Sequence, residues 1–268
     1  MIDVHCHLNF HAFANDYDAC ITDAKEQGVT TIINVGTKLD SSEKAVALAQ
    51  TYDNLYAIVG IHPHHADKQD VSSDWVKQLE EVATKPKVVA IGEIGLDYYR
   101  YQSNGIVDPV MQKEFFEAQI DLAHRLNLPL QIHGRHAGND ILDILEHHKN
   151  ILHATRPGMF HCFAGSPDIL KRALDLGFFI GFDGNCTYPG LAPGETTALI
   201  DIAKLTPLDR MLTETDSPFL SPIPYRGKRN MPRYVILVGE FLARVKGIPF
   251  QQLDYQTSQN AKQLFAIQ

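Results

Sequence analysis

The strongest constraint on this chain is an alternation of short apolar, β-branched runs with longer segments of helical apolar spacing. Eight runs have the composition of buried strands, and they read IDVH, TTIINVGT, LYAIVGIH, VVAIGEIG, LPLQIH, GMFHCF, FFIGFDG and RMLTETD. Parallel strands that are buried on both faces have this near-continuous apolar character. Eight strands, each followed by a helix, predict an α/β fold, a single (β/α)₈ TIM barrel.

Two of the intervening segments carry clear helix signals. In DPVMQKEFFEAQIDLAHRLN the spacing predicts an amphipathic helix, whose inner face includes Met111, Phe115, Ile120, Leu122 and Leu126. The segment SPDILKRALDLG begins with Ser before Pro and ends with Gly, which are ordinary start and stop signals of a helix.

Length and composition indicate one domain that spans residues 1–268. An α/β barrel of 268 residues commonly forms one domain, and the net charge of −8 argues against a broadly basic surface for nucleic acid. The four cysteines are scattered without a CxxC pair, and no apolar run is long enough for a signal peptide or a membrane span. We therefore expect a cytoplasmic protein with reduced thiols, no membrane association and no stable protein partner.

Ionisable side chains stand at the ends of six of the predicted strands. Because the carboxyl ends of barrel strands form one rim, these groups should converge there. Buried ionisable groups need partners, and imidazoles and carboxylates share one obvious partner, a divalent metal. In chain order they are His5 and His7, His62 and His64, Glu93, His133, His161, and Glu214 with Asp216.

The motifs along the chain resemble those of the TatD family of metal-dependent deoxyribonucleases. They are DVHCHL, VGIHPHHA, AIGEIGLDYYR, LPLQIHGR, FHCFAGS, LTETDSPFLSP, PYRGKRNMPRYV and TSQNAKQLF, in order over nearly the whole sequence. The resemblance implies a (β/α)₈ fold with divalent metals at the rim. It also implies hydrolysis of phosphodiester bonds in DNA, as a 3′–5′ exonuclease on single-stranded ends.

The resemblance also implies the ligands of two metal ions. One set is His5, His7, Glu93 and Asp216, and the other is Glu93, His133 and His161, with Glu93 bridging. Two bridged cations can stabilise both the attacking and the leaving oxygen of a phosphate. Asp216 would also act as the general base. Mg²⁺ or Mn²⁺ is expected, the histidines also permit Zn²⁺, and a third ion is left open.

Other residues are predicted to bind the DNA substrate. His62 is similar to a phosphate-contacting histidine of the family, and His64 lies on the same face if the strand continues through Pro63. The segment 217–239 has no acidic residue, and it resembles the family's substrate-binding loop. There, guanidinium groups suit phosphate oxygens and a tyrosine can stack on a base. The candidates in this loop are Tyr225, Arg226, Lys228 and Arg229.

Several nearby residues have a structural interpretation. Cys6 and Cys162 alternate with the histidines and are expected to be small core residues. Gly92 and Gly95 are expected to give backbone room beside Glu93. Asp97 and Tyr98 either orient Glu93 or begin the next loop. The chain departs from the family pattern at three positions that affect substrate preference, namely Asn9, Gly134 and His136.

Three other functions remain open on the sequence alone. A small-molecule amidohydrolase or lactonase could share the histidine and aspartate layout, although these enzymes commonly bridge their metals with a modified lysine where this chain has Glu93. An aminoacyl-tRNA ester hydrolase would activate water in the same way. A non-catalytic binding protein is the third alternative, since fold constrains function only loosely.

Overall fold

The protein is described here from a computed structural model, which covers residues 1–66, 74–100, 105 and 107–268. The described residues form eight strands in one sheet, and each strand is parallel to its neighbours in chain order. They are β1 Ile2–Cys6, β2 Thr31–Val35, β3 Leu55–Val59, β4 Val88–Asp97, β5 Leu130–Arg135, β6 Gly158–Phe160, β7 Phe179–Phe182 and β8 Met211–Thr213. The predicted set of eight parallel strands is confirmed.

The segment that follows β8 closes the barrel against β1. Backbone N–H groups of Asp216 and His7 donate to the carbonyls of His5 and Ser217, at 2.9 and 2.8 Å. A parallel bridge also joins Cys6 to Ser217. This seam between the first and last strands therefore completes the (β/α)₈ fold predicted from the alternation.

Helices separate the strands, as predicted. In the described residues they are α1 Tyr17–Glu26, α2 Leu39–Thr51, α3 Trp75–Ala83, α4 Pro109–Leu126, α5 Gly138–His147, α6 Pro167–Asp175, α7 Leu199–Leu205, α8 Val235–Lys246 and α9 Phe250–Phe265. Short 3₁₀ helices lie at His11–Phe13, Pro63–His65, Gly184–Thr187, Leu208–Arg210 and Pro232–Tyr234. None of the helices within the described ranges has both the length and the apolar character that crossing a membrane requires.

Both segments for which the sequence predicted helices are helical in the structure, as α4 and α6. The side chain of Asp108 accepts a hydrogen bond from the N–H of Val110 at the start of α4, which ends at Asn127 in the left-handed conformation. The hydroxyl of Ser166 caps α6 by accepting from Ile169 N–H. Such caps satisfy donors that the first turn leaves free.

Apolar side chains divide into a large cluster under the helices and a smaller one inside the barrel. The smaller cluster includes Ile2 and Phe179 from strand starts, and Leu264 and Phe265 of α9 pack against it. Burial of these residues fills the amino-terminal end of the barrel. Polar side chains are consequently concentrated at the opposite, carboxyl-terminal rim.

Two glycines in β4 meet the neighbouring strand too closely for a side chain. A Cβ atom at Gly92 would lie 2.6 Å from Gln131 Cβ, and one at Gly95 would overlap the carbonyl oxygen of His133. Gly95 also has a φ of +142°, which L side chains rarely adopt. The expectation that these glycines give backbone room around Glu93 is confirmed.

Candidate metal centre

Side chains from four strand ends meet around Glu93 at the carboxyl-terminal rim. Nε2 of His5 lies 3.7 Å from Glu93 Oε2 and 3.6 Å from Asp216 Oδ1. Nε2 of His7 lies 3.4 Å from the same Asp216 oxygen. Nε2 of His161 lies 3.8 Å from Glu93 Oε1 and from Asp216 Oδ1. The structure thus brings together residues that are more than 200 positions apart in the sequence.

The remaining two histidines approach Glu93 from the other side. Nδ1 of His133 lies 2.8 Å from Glu93 Oε1, and Nε2 of His62 lies 3.6 Å from the same oxygen. His133 is on β5, whereas His62 precedes the 3₁₀ helix Pro63–His65 that follows β3. The other five predicted ligands, together with His62, therefore surround the buried carboxylate of Glu93, which is only 5% exposed.

Three of these histidines are held in place through the ring nitrogen that points away from the centre. Nδ1 of His7 donates to the carbonyl of Val35 at 2.9 Å. Nδ1 of His161 lies 2.9 Å from Glu214 Oε2, and Nε2 of His133 lies 3.0 Å from an oxygen of Asp97. A proton on the held nitrogen leaves the lone pair of the other nitrogen directed into the centre.

The donor set fits divalent cations. Nε2 of His5 and Nε2 of His7 are 3.0 Å apart. Both nitrogens also lie within 4 Å of the carboxylates of Glu93 and Asp216. Among the residues that the structure describes, three groups have ligand atoms within 4.8 Å of one another, and Glu93 belongs to two of these groups. These groups are His5 with His7 and Asp216, His5 with Glu93 and His161, and His62 with Glu93 and His133. The last group places His62, predicted as a phosphate contact, where it could also hold an ion.

Electrostatics favour the charged form of the central carboxylate. Burial alone would raise the pKa of Glu93, but the surrounding histidines, His62 above all, bring it well below its usual range. Burial lowers the pKa of His5 and of His62. For His133 burial acts in the same direction, yet its hydrogen bonds to Asp97 and Glu93 prevail and raise the pKa to about 9.

Asp97 and Tyr98, for which the sequence left two roles open, have different roles in the structure. Asp97 is buried, and its Oδ2 lies 3.0 Å from His133 Nε2 and 2.9 Å from His64 Nε2. It therefore orients histidines of the centre rather than Glu93 itself. The hydroxyl of Tyr98 donates to Asp140 at 2.8 Å and belongs to the scaffold of the loop.

The structure corrects two local expectations. β3 ends at Val59, so His64 lies in a 3₁₀ helix and not on a continued strand, although its ring is still 4.6 Å from that of His62. Cys6 is buried as expected, but Cys162 borders a cavity and has a φ of +45°. The prediction of a core Cys162 was wrong because strand alternation stops when β6 ends.

A cavity of about 780 Å³ opens above the centre, and five of the six candidate ligands, all except His5, line it. Its walls include side chains that the sequence analysis did not single out, because loop residues follow no periodic pattern. Among them are Phe10, Tyr188 and Phe219. These wall residues come from separate loops. They can be recognised as one surface only when the fold shows that the loops are close together.

The predicted substrate-binding residues divide into two groups. His62, His64 and Arg226 line the cavity, and the Arg226 guanidinium lies over the ring of Tyr188, 4.0 Å from its centroid. The other three predicted residues belong to the same loop but contact other parts of the protein surface. The ring of Tyr225 stacks on Tyr234, Lys228 lies near Tyr225, and Arg229 forms a two-point ion pair with Asp16.

Asp183 is a buried carboxylate at the end of β7 that the sequence analysis missed. It is fully buried, and Oδ2 has no hydrogen-bond partner among the described residues. Burial, reinforced by the charges of Glu214 and Asp216, raises its pKa to about 8. The signal that could have revealed it is its position near the end of the seventh apolar run, FFIGFDG.

A parallel eight-stranded barrel with histidines and carboxylates gathered at the carboxyl-terminal rim defines a class of metal-dependent hydrolases. The sequence matches the family described as TatD related DNase over residues 2–266. It is 36% identical over 267 residues to a Bacillus subtilis protein named "Uncharacterized metal-dependent hydrolase YabD", covering 100% of this chain and 99% of that protein. The chain belongs to the TatD family of metal-dependent hydrolases.

Further comparisons agree with this assignment. The chain is 35% identical over 273 residues to the "3'-5' ssDNA/RNA exonuclease TatD" of Erwinia tasmaniensis, and the match covers 100% of both proteins. The crystal structure of the TatD homologue YjjV from Escherichia coli superposes with a TM-score of 0.89. That pair is 30% identical, with 100% of this chain and 98% of the other covered.

Proposed function

We propose that this protein hydrolyses phosphodiester bonds at the 3′ ends of single-stranded DNA. The observation that carries the proposal is the convergence of histidines and carboxylates from six strand ends on the floor of one cavity. The full-length similarity to a protein named as a single-stranded DNA and RNA exonuclease supports the substrate class.

The residues that would hold the metal ions are those predicted from the sequence, with Glu93 shared. His5, His7 and Asp216 lie on one side of Glu93, and His133 and His161 complete the set. When bound, divalent cations would polarise the phosphate and stabilise the charge that develops during hydrolysis. We propose Mg²⁺ or Mn²⁺, with Zn²⁺ permitted by the imidazoles and a third ion permitted by His62.

We propose Asp216 as the general base. Its carboxylate borders the cavity, and its backbone is fixed by hydrogen bonding to β1 across the seam. A carboxylate held in this way can take the proton of the attacking water without rearranging. Glu93 keeps its negative charge in the buried centre because several imidazoles surround it.

We propose that a guanidinium and two imidazoles in the wall contact the phosphates of the substrate. Arg226 and the imidazoles of His62 and His64 border the cavity directly. Lys228 is exposed on the same loop, and we propose that it and Tyr225 contact nucleotides further along the strand. A short basic loop can bind phosphates locally although the net charge of the chain is −8.

The test is hydrolysis of end-labelled single-stranded DNA by the purified protein. We expect shortening from the 3′ end that is lost on chelation and restored by Mg²⁺ or Mn²⁺. Activity that survived exhaustive chelation would contradict the metal mechanism. If the oligonucleotide stays intact with every metal while a carboxylic ester or amide is cleaved, the protein hydrolyses another substrate class.

We also propose a cytoplasmic location. The four cysteines are free thiols, three of them buried, as in proteins of a reducing compartment.

A further inference from the structure

Phe219 presents an exposed aromatic ring to the cavity above the metal centre. Its side chain is 52% exposed and borders the cavity. Single exposed apolar residues are common on protein surfaces and need no explanation. Phe219 differs because a second aromatic residue, Phe10, borders the same cavity with its ring centroid 6.3 Å away.

The two rings are coupled to the candidate metal centre. Phe10 stacks flat on the imidazole of His7, with ring centroids 4.3 Å apart and an interplanar angle of 15°. Phe219 meets both of these rings edge-on, at 6.3 Å each. The N–H of Phe219 also donates to the carbonyl of Asp216 at 2.8 Å. The aromatic surface therefore lies at a fixed, short distance from two candidate ligands.

We propose that Phe219, supported by Phe10, stacks on the nucleobase next to the scissile phosphodiester. This inference rests on the proposed function, since it requires a nucleic acid end on the floor of the cavity. Stacking on an aromatic ring accepts every base, because each base has a π face. The residue would therefore favour an intact terminal nucleotide over an abasic one without selecting a sequence.

The experiment compares two end-labelled oligonucleotides, one normal and one with abasic tetrahydrofuran units at its two 3′-terminal positions. Binding of phosphorothioate versions is measured by fluorescence anisotropy, and cleavage of the ordinary versions is measured separately. The variants are Phe219→Ala, Phe219→Leu and Phe219→Trp. Ile223→Ala is the matched control, since Ile223 is a 47% exposed apolar residue of the same loop.

We expect Phe219→Ala to weaken binding of the normal oligonucleotide about tenfold and to leave binding of the abasic one unchanged. Trp should restore the preference and Leu should not, while Ile223→Ala should resemble the unmodified protein. Equal effects on both oligonucleotides, or none, would overturn the stacking role. Failure of the unmodified protein to cleave DNA would refute the proposed function, whereas the anisotropy comparison still decides the stacking role.

Discussion

At the scale of single residues, Asp97 shows how a carboxylate that is not a ligand can define a metal centre. It contacts His133 and His64 from a fully enclosed position. The contact fixes which nitrogen of His133 is free to face Glu93. Such a carboxylate raises the basicity of the histidine that it holds.

Replacing Asp97 with Asn should therefore reduce metal affinity without removing a ligand. The expected loss is about 10- to 100-fold, the usual effect of removing a carboxylate that orients a ligating histidine. Metal titration of the purified variant measures it. Asp140→Asn is a suitable control, because Asp140 bonds Tyr98 on the same side of the barrel but touches no candidate ligand. Equal affinities in the Asp97 variant and the unmodified protein would contradict this role.

Asp216 and Glu93 should give different signatures when their charge is removed. Asp216→Asn removes the proton acceptor, which typically costs about 10²- to 10⁴-fold in rate, and weaker metal binding would add to the loss. Glu93→Gln should lower both metal content and rate, because Glu93 belongs to two of the ligand groups. Turnover and bound metal are measured together. A Glu93→Gln protein with full metal content and normal turnover would show that the bridging role is misassigned.

At the scale of secondary structure elements, the loop after β8 combines two functions. Its Arg226 faces the cavity, whereas Arg229 joins the loop to the segment before α1. The Arg229 guanidinium contacts both oxygens of Asp16, donates to the carbonyl of Ala12 and lies 4.8 Å from the Phe13 ring centroid. The sequence alone could not distinguish these arginines, because both lie in the same acid-free run.

This difference predicts unequal effects of two matched substitutions. Arg226→Ala should raise KM for an oligonucleotide and flatten its salt dependence, since each phosphate contact on a single strand contributes about 0.7 to the slope. Arg229→Ala, proposed from the sequence as a phosphate contact, should instead lower stability by about 1 kcal/mol or less, as for other exposed ion pairs. Measuring KM at two salt concentrations tests the effect on substrate binding, and urea denaturation tests the effect on stability. Equal changes in KM for both variants would support a phosphate contact for Arg229.

Strands and helices were predictable because their signals are local and repeated. Apolar runs located all eight strands, and the cap at Ser166 follows from its place before Pro167 at the start of the helix segment. The walls of the cavity were not predictable in this way. Phe10, Tyr188 and Phe219 meet only because three separate loops rise from the same rim, and such loops have no periodic pattern.

At the scale of the whole molecule, the buried Asp183 couples stability to pH. Its folded pKa of about 8 lies above the ordinary value of 3.8, so the folded state retains a proton that the unfolded chain has lost between these limits. Stability contributed by this group therefore falls as pH rises from about 4 to about 8. Burial is the main cause, and Glu214 and Asp216 add to it.

Asp183→Asn should remove this contribution to the pH dependence. Relative to the unmodified protein, the variant should gain in free energy of unfolding as pH rises from 5 to 8, because its amide does not ionise. Urea denaturation of chelated samples at the two pH values measures the difference. A constant difference across this range would show that Asp183 titrates normally in the folded protein.

The seam between β1 and β8 has a consequence for synthesis of the protein. His5 and His7 leave the ribosome before Asp216 and the backbone groups that close the barrel, which follow about 210 positions later. At about 5–20 residues per second, the wait is roughly 10 to 40 s. A nascent or truncated chain without this last segment cannot assemble the complete centre. The order of the ligands along the chain thus delays any hydrolytic activity until the segment that closes the barrel has been synthesised.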